Sequence, residues 1–324
     1  IQETRINSRD INSTLSLTFS QDFANDFSAT LRVGNDVFAR SRNTVRSTGS
    51  EFVIPQFLQI GNTVNQFGAQ SISQQRLIGV YGDLNLSYRD FIYLNITGRN
   101  DWTSTLNRDN RSFFYPSFST GIIFHEILNL PSEVSMAKFR GSYAEVGKDA
   151  PPYSTSTTYS TTNPINGQLG FTRNSVLGSP DLRPERTTSF EFGLEAAFLN
   201  NRFGFDATVY QMNSKDQIIP VPVSNATGFT RLITNAGEIE NRGIELLLKA
   251  TPVRTADFQW NFNLNFTRNV NTVVDIREGI ESIDIGSQFG YAGSSVAVRL
   301  IEGDPYGNIY GTSYTRYYED GVPE

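Results

Sequence analysis

Apolar and polar side chains alternate strictly along residues 258–267. Phe258, Trp260, Phe262, Leu264 and Phe266 fall on one side of the pattern, and a polar residue occupies every position between them. Successive side chains of an extended chain point to opposite faces, so a period of two predicts a β-strand with one apolar and one polar face.

The same alternation recurs along the chain and predicts about ten strands, at residues 15–19, 27–33, 78–88, 92–98, 118–124, 139–146, 187–198, 203–211, 240–250 and 258–267. Several of these strands approach the roughly 9–11 residues that a tilted strand needs to cross a bilayer. Strands of soluble domains average about 5–6 residues. The polar faces carry Asn, Ser, Thr and Glu, as expected for a watered lumen, and aromatic residues crowd the strand ends.

The connections between these strands alternate in length. Short ones fall at residues 20–25, 89–90, 125–137, 199–201 and 251–257, and long ones at 34–76, 99–116, 148–186, 213–238 and 268–295. Successive connections of an antiparallel meander lie at opposite edges of the sheet, so the short connections share one edge and the long connections share the other. The prediction is an all-β chain, an antiparallel meander that forms part of a large transmembrane outer-membrane β-barrel. A large soluble β-sandwich or propeller is the alternative, because the inner faces of those folds alternate too.

Composition narrows the choice of function. A net charge of −6 argues against a general nucleic-acid surface, and the short basic patch of Arg40, Arg42 and Arg46 does not reverse that balance. The absence of cysteine excludes thiol catalysis and cysteine metal sites. No apolar run approaches the roughly 18 residues of a transmembrane helix, so any membrane crossing must use strands.

Residues suited to catalysis are sparse, and we predict no catalytic residue, no metal site and no cofactor. His125 is the single histidine and lies at a short connection, where a turn role is expected. Glu191 with Glu195, or Glu238 with Glu240 and Glu245, could pair as glycosidase carboxylates, but lumen and turn positions explain them as well. Asp101, Asp109 and Asn110 lack the spacing of a known calcium loop.

Aromatic side chains in the long connections are the better ligand candidates. A sugar or a peptide gains from flat apolar faces beside hydrogen-bonding groups in a concave site. The candidates at the elaborated end are Trp102, Tyr115, Tyr153, Tyr159 and Phe171. Packing of the loop onto the barrel rim is the alternative role for Trp102 and Tyr115.

Four segments in order resemble one family, the SusC/RagA-type TonB-dependent outer-membrane transporters of Bacteroidota. The first is the strand-loop-strand passage GRNDWTSTL at residues 98–106 with RSFFYPS at 111–117. The others are KFRGSYAEVG at 138–147, PDLRPE at 180–185 and NAGEIENRGIE at 235–245. The resemblance covers about residues 77–275, whereas residues 1–76 fit only by strand pattern.

The resemblance implies a barrel of 22 strands closed by an N-terminal plug, in the outer membrane and surrounded by its lipid. It also implies a SusD-like surface lipoprotein as a lid, energy supplied by the TonB complex through an N-terminal region, and a glycan or peptide as substrate. We expect residues 1–324 to be one β-barrel region holding about half of the strands, with the remainder of the same barrel supplied elsewhere.

Three functions remain open at this point. The first is a segment of a transporter that imports large glycans or peptides, and the second is a soluble or surface-anchored β-sheet module that binds carbohydrate. The third, an outer-membrane enzyme, is weakened by the single histidine and the absent cysteine.

Overall fold

The computed structural model describes residues 1–23, 26–162, 168, 170–286, 296–311, 318–319 and 322–323. Its strands in chain order are β1 (Gln2–Phe23), β2 (Phe27–Phe52), β3 (Thr63–Tyr88), β4 (Ile92–Thr103), β5 (Ser112–Ile123), β6 (Val134–Lys148), β7 (Tyr159–Thr161), β8 (Phe171–Arg173), β9 (Val176–Leu177), β10 (Glu185–Phe198), β11 (Phe203–Lys215), β12 (Ile218–Pro222), β13 (Arg231–Asn235), β14 (Glu238–Arg254), β15 (Gln259–Asp275), β16 (Ile283–Gly286), β17 (Val296–Leu300), β18 (Asn308–Gly311), β19 (Tyr318–Glu319) and β20 (Val322–Pro323). The helical elements are α1 (Phe124–Ile127) and two short 3₁₀ turns, Ile60–Asn62 and Asn225–Thr227.

Ten of these strands form one sheet, in the order β1-β2-β3-β4-β5-β6-β10-β11-β14-β15. Every neighbouring pair is antiparallel, and each strand lies beside the next wall strand in the sequence. The predicted meander of about ten strands is therefore confirmed. The small strands between the wall strands lie in the long connections.

Side chains alternate along each strand, and the pairing between strands places the apolar ones together on the outer face and the polar ones together on the inner face. Leu264 lies opposite Leu248, and both belong to the face that carries the other large apolar side chains. These outward side chains are only half covered by their neighbours; Leu264 is 48% exposed. On the inner face, Arg140 contacts carboxylates of neighbouring strands, with 2.7 Å between its Nη2 and Asp206 Oδ1. The predicted apolar and polar faces are thus confirmed.

The short and long connections fall at opposite edges of the sheet. At the short edge, residues 89–91 and 199–202 join their strands, and Arg89, Asp90 and Asn200 adopt positive φ angles of 47°, 57° and 58°. Left-handed backbone of this kind reverses the chain within few residues. The long edge carries residues 149–184 and 216–237 between wall strands, as predicted. We call the structure formed by the connections at this edge the loop layer.

The predicted long connection at residues 34–76 is wrong for most of its length. β2 continues to Phe52 and β3 begins at Thr63, so only residues 53–62 connect them. Residues 2–11, 39–52 and 63–76 form a three-stranded extension beyond the rim set by the pair Leu77 and Thr103, which we call the blade. The fourteen residues of β3 past Leu77 correspond to about 45 Å of strand. Both faces of the blade are polar, so no apolar period marks its strands.

Other predicted boundaries shift by smaller amounts. β4 reaches Thr103 and β5 begins at Ser112, which shortens the connection predicted at residues 99–116. β15 continues to Asp275, into the connection predicted at residues 268–295, and residues 287–295 lie outside the described part. In the described residues no helix is long and apolar enough to cross a membrane.

Leu264→Arg tests the assignment of the outer face. A cation facing hydrocarbon near the bilayer midplane costs about 2–4 kcal/mol, and the cost falls toward the interfaces. In urea unfolding of the full-length protein in lipid vesicles, we expect the free energy of unfolding to fall by about 2–4 kcal/mol.

Asn265→Arg is the matched control, because Asn265 lies on the inner face opposite Leu247. We expect this change to alter the unfolding free energy by less than about 1 kcal/mol. Equal destabilisation by both changes would contradict the assignment.

Candidate functional site

Apolar clusters give the loop layer a core of its own. Leu106, Ala150 and Leu182 are buried together between three connections, and Ile218 and Ile233 pack against them. A second cluster lies under the later connections and consists of Val221, Ala236, Val273, Ile276, Ile283 and Leu300. The connections are therefore packed on one another, which fixes the positions of the side chains they carry.

A polar hub joins the loop layer to the rim of the wall. The carboxylate of Asp149 accepts hydrogen bonds from Gln75 Nε2 at 2.9 Å, from Thr105 Oγ1 at 3.0 Å and from the hydroxyl of Thr103. Thr103 and Thr105 are buried, at 3% and 5% exposure. The hub ties the end of β6 to β3 and to the connection after β4.

Asn235 ties together two further connections. Its Oδ1 accepts from the backbone N–H of Arg183, and its Nδ2 donates to the carbonyl oxygens of Arg183 and Asp216, each at 2.8 Å. Arg183 Nη2 also contacts Asp216 Oδ1 at 2.7 Å. Two of the segments quoted for the family resemblance, at residues 180–185 and 235–245, thus hold the loop layer together. The sequence marked these residues by resemblance but gave no role for them.

Trp102 and Tyr115 lie on opposite faces of the wall. Trp102 is opposite Ile78 and shares the apolar outer face, where it is 40% exposed. Tyr115 is opposite Arg99 on the inner face, and its hydroxyl donates to Asp101 Oδ2 at 2.5 Å. An inner-face cleft of about 470 Å³ lies beside Tyr115, lined also by Arg99 and Tyr81. Trp102 does not contribute to that cleft.

Tyr153 and Tyr159 are brought together in the loop layer. They line a cleft of about 620 Å³ between the connection at residues 149–184 and the blade. The lining residues are Thr44, Arg46, Ala69, Gln70, Ser71, Ile72, Tyr153, Thr158, Tyr159, Ser160 and Thr161. We call this space the blade cleft. Tyr153 and Tyr159 are 49% and 66% exposed, so their rings remain available to a ligand.

Phe171 lies near the blade cleft but does not line it. It faces Thr161 across the hairpin of β7 and β8 and is 68% exposed. Arg173 of the same hairpin stacks over the ring of Phe229 at 4.0 Å. Of the five predicted ligand aromatics, the structure therefore gathers two in one cleft.

Two of the residues considered for catalysis, His125 and Glu195, have structural partners. His125 Nδ1 accepts from the backbone N–H of Ala137 at 3.3 Å at the short edge of the sheet. The Glu195 carboxylate lies 3.5 Å from Arg140 Nη1 on the inner face. Within the described residues, no group of three or more His, Cys, Asp or Glu side chains is arranged to hold a metal ion.

Over residues 2–321 the chain matches the family described as TonB dependent receptor-like, beta-barrel. It belongs to that family. The predicted resemblance to SusC/RagA-type proteins is confirmed, and the wall described above is part of a TonB-dependent receptor β-barrel.

Curated relatives cover most of this chain but are much longer than it is. TonB-dependent receptor P26 of Formosa agariphila is 32% identical over 216 residues, which is 65% of this chain and 22% of that protein. TonB-dependent receptor SusC of Bacteroides thetaiotaomicron is 26% identical over 265 residues, or 78% of this chain and 26% of that protein. The chain thus spans about a quarter of the length of these relatives.

Solved structures show the same fold. The RagAB peptide transporter superposes with a TM-score of 0.77 at 19% identity, covering 93% of this chain and 33% of that chain. The outer membrane transporter YddB of Escherichia coli gives a TM-score of 0.58 at 16% identity, covering 84% of this chain and 34% of that one. At these identities the likeness supports the TonB-dependent receptor fold alone.

Asn235→Ala is expected to loosen the loop layer without affecting the wall. Removing the amide breaks three hydrogen bonds, of which the bond to the carbonyl oxygen of Asp216 is part-buried and the two to Arg183 are exposed, at a cost of about 0.5–1.5 kcal/mol for the part-buried one. In hydrogen exchange of the full-length protein, we expect amides near residues 180–184 and 216–218 to exchange faster.

Asn263→Ala is the control, because Asn263 is an exposed asparagine of wall strand β15. It should leave exchange in the loop layer unchanged. Equal exchange in the loop layer of the Asn235 variant and the unmodified protein would show that the amide does not hold these connections.

Proposed function

We propose that this chain is the wall and external loop layer of a TonB-dependent transporter that imports large glycans or peptides across the outer membrane. The observation that carries the proposal is the division of one continuous sheet into a half-exposed apolar outer face and a polar inner face with a packed loop layer at one edge. A β-barrel embedded in lipid with a water-filled interior requires this arrangement.

The proposal includes partners that lie beyond the described residues. β1 and β15 form the edges of the sheet, and open edges do not occur in hydrocarbon, so the remainder of the same barrel would pair with them. A SusD-like surface lipoprotein would cover the loop layer, and the TonB complex would supply energy through an N-terminal region. The names of relatives support this assembly, since one is a TonB-dependent receptor SusC and one fold neighbour is the RagAB peptide transporter.

The soluble carbohydrate-binding module accounts for fewer observations. Trp260, Phe262 and Phe266 on β15 are 55%, 47% and 51% exposed, and the outward residues of the other wall strands are similar. A soluble protein rarely exposes so large a continuous apolar surface. Lipid covers it without a further domain.

The proposed role of the loop layer is to contact the substrate before it enters the barrel. The aromatic faces of Tyr153 and Tyr159 lie beside the hydroxyl groups of Thr158, Ser160 and Thr161 in the blade cleft. Flat apolar faces next to hydrogen-bonding groups suit a sugar ring. The proposal assigns binding and passage to the protein, with no covalent step.

Deleting the gene for the full-length protein tests transport directly. Cells would be offered fluorescent neutral oligosaccharides, acidic oligosaccharides and oligopeptides too large for porins. We expect one class to lose uptake on deletion and to regain it on complementation, and a protonophore to abolish the same uptake. Undiminished, protonophore-insensitive uptake of every class in the deletion strain would refute transport.

Tyr153→Ala combined with Tyr159→Ala tests the contact residues. Each lost stacking contact is worth about 0.5–1.5 kcal/mol, so we expect substrate affinity to fall about 5-fold to 150-fold when both are lost. Assembly in the outer membrane should be unchanged, because both side chains are exposed.

Tyr306→Ala is the matched control for that pair. Tyr306 is 45% exposed in the loop layer and does not line the blade cleft. The control should retain affinity within about twofold. If the double variant also retains it, Tyr153 and Tyr159 are not contact residues.

A further inference from the structure

The inner face of the blade carries more arginines than carboxylates. The arginines of this face are Arg40, Arg42 and Arg46 on β2, and the facing positions of β1 carry one acid, Asp10, which pairs with Arg40; Arg76 lies on the opposite face. Residues 150–180 of the facing connection contain one arginine and no acid. Apart from Glu51, neither residues 39–76 nor residues 150–180 contain an acidic residue that could neutralise Arg42 and Arg46.

Register places two of these arginines on one side of the cleft. Arg42, Thr44 and Arg46 alternate along β2, and the pairing of β2 with both neighbours is unbroken through them. All three share the face of Arg40, which points toward Asp10 on β1. Four residues of strand separate Arg42 from Arg46 by about 13 Å. Two cations thus flank the point where Thr44 lines the cleft.

Arg42 and Arg46 lack the carboxylate partners that Arg40, Arg99 and Arg140 have on the same inner face. Arg40 forms a bidentate pair with Asp10, with contacts of 3.0 and 2.8 Å. Arg99 is held by Asp36 and Asp101, and Arg140 by Asp206 and Glu195. Among the described residues, neither Arg42 nor Arg46 forms a salt bridge, and both are exposed.

The opposite wall of the cleft is aromatic and hydroxylic. It consists of Tyr153, Thr158, Tyr159, Ser160 and Thr161, and among the described residues Arg46 is the one cation that lines the cleft itself. Tyrosine faces suit the apolar faces of sugar rings, and guanidinium groups form the strongest hydrogen bonds with carboxylate or sulfate oxygens. One ligand class satisfies both walls at once.

We propose that the blade cleft recognises acidic glycans, with Arg46 and Arg42 binding the carboxylates or sulfate esters and Tyr153 and Tyr159 stacking on the rings. This rests on the proposed transport function and names its substrate class. An acidic peptide would satisfy the arginines but would leave the ring-stacking wall without its best partner.

Binding by the purified full-length protein in detergent tests the proposal. The probes are an oligogalacturonide with its methyl-esterified form, a sulfated galactan oligosaccharide with its desulfated form, and an oligoglutamate peptide of similar length. We expect an acidic sugar to bind about tenfold or more tightly than its neutral form, with the preference shrinking as salt rises. The two acidic sugars distinguish carboxylate from sulfate as the bound group.

Arg42→Gln combined with Arg46→Gln should remove that preference, so that the acidic and neutral forms of each sugar bind with affinities within about twofold of each other. Arg46→Lys should retain much of the preference, because the charge is kept. Arg5→Gln combined with Arg9→Gln is the matched control, since both arginines are exposed on the opposite face of the same blade. The control should bind acidic sugars like the unmodified protein.

Four results would overturn the proposal: no preference for either acidic sugar, a preference that survives the Arg42 and Arg46 changes, an equal loss in the control, or tightest binding of oligoglutamate. Its failure is separable from failure of the transport function. Energised uptake of neutral glycans with no acidic preference would retain transport and refute this inference. Arginine-dependent binding of acidic glycans without energised uptake would support recognition of acidic glycans and refute transport.

Discussion

Continuous backbone hydrogen bonding across the ten-stranded sheet is the constraint on which the other features depend. An unpaired peptide group in hydrocarbon costs several kcal/mol, so a membrane wall made of strands tolerates no gap in the ladder. Wall neighbours here are always successive wall strands, and the register is interrupted only near the short edge and at the start of β14. The alternation of side chains then follows automatically, since each paired residue must face either lipid or lumen.

Beyond the rim this constraint is relaxed, and a different chemistry holds the chain. The largest fully buried side chains are in the loop layer or at the rim end of β15: Leu182, Ile276, Ile283, Val221 and Val273. Asp149 and Asn235 add hydrogen bonds between connections that are far apart in sequence. The two halves of the molecule are thus stabilised by different partners, lipid for the wall and other connections for the loop layer. A rigid loop layer can hold ligand groups at fixed positions.

The sequence predicted the wall well, because a strand with one apolar face has an apolar residue at every second position, as in residues 258–267. It could not predict the blade, whose Arg42, Thr44 and Arg46 alternate with Asn43 and Val45 without a consistent apolar face. Parity alone could have separated Trp102 from Tyr115: Trp102 shares the even positions of Ile92, Leu94 and Ile96, which face outward. Tyr159 and Arg46 line the same cleft because a connection packs against a strand more than one hundred residues away in the chain, and no local sequence pattern predicts that arrangement.

An arginine on the blade is expected to gain more free energy from binding an anion than an arginine on a flexible loop. A guanidinium on a solvated, flexible loop gains little from a counter-ion, because water screens the attraction and the side chain loses conformational freedom. On β2 the backbone is fixed by pairing with both β1 and β3, and the facing connection is anchored through Asp149 at the rim. Only side-chain freedom is then lost on binding, and a ligand lying between the two walls displaces screening water. The same extension of the strands that removes the apolar pattern from the sequence therefore holds Arg42 and Arg46 on a paired backbone beyond the rim, as the proposed recognition of acidic glycans requires.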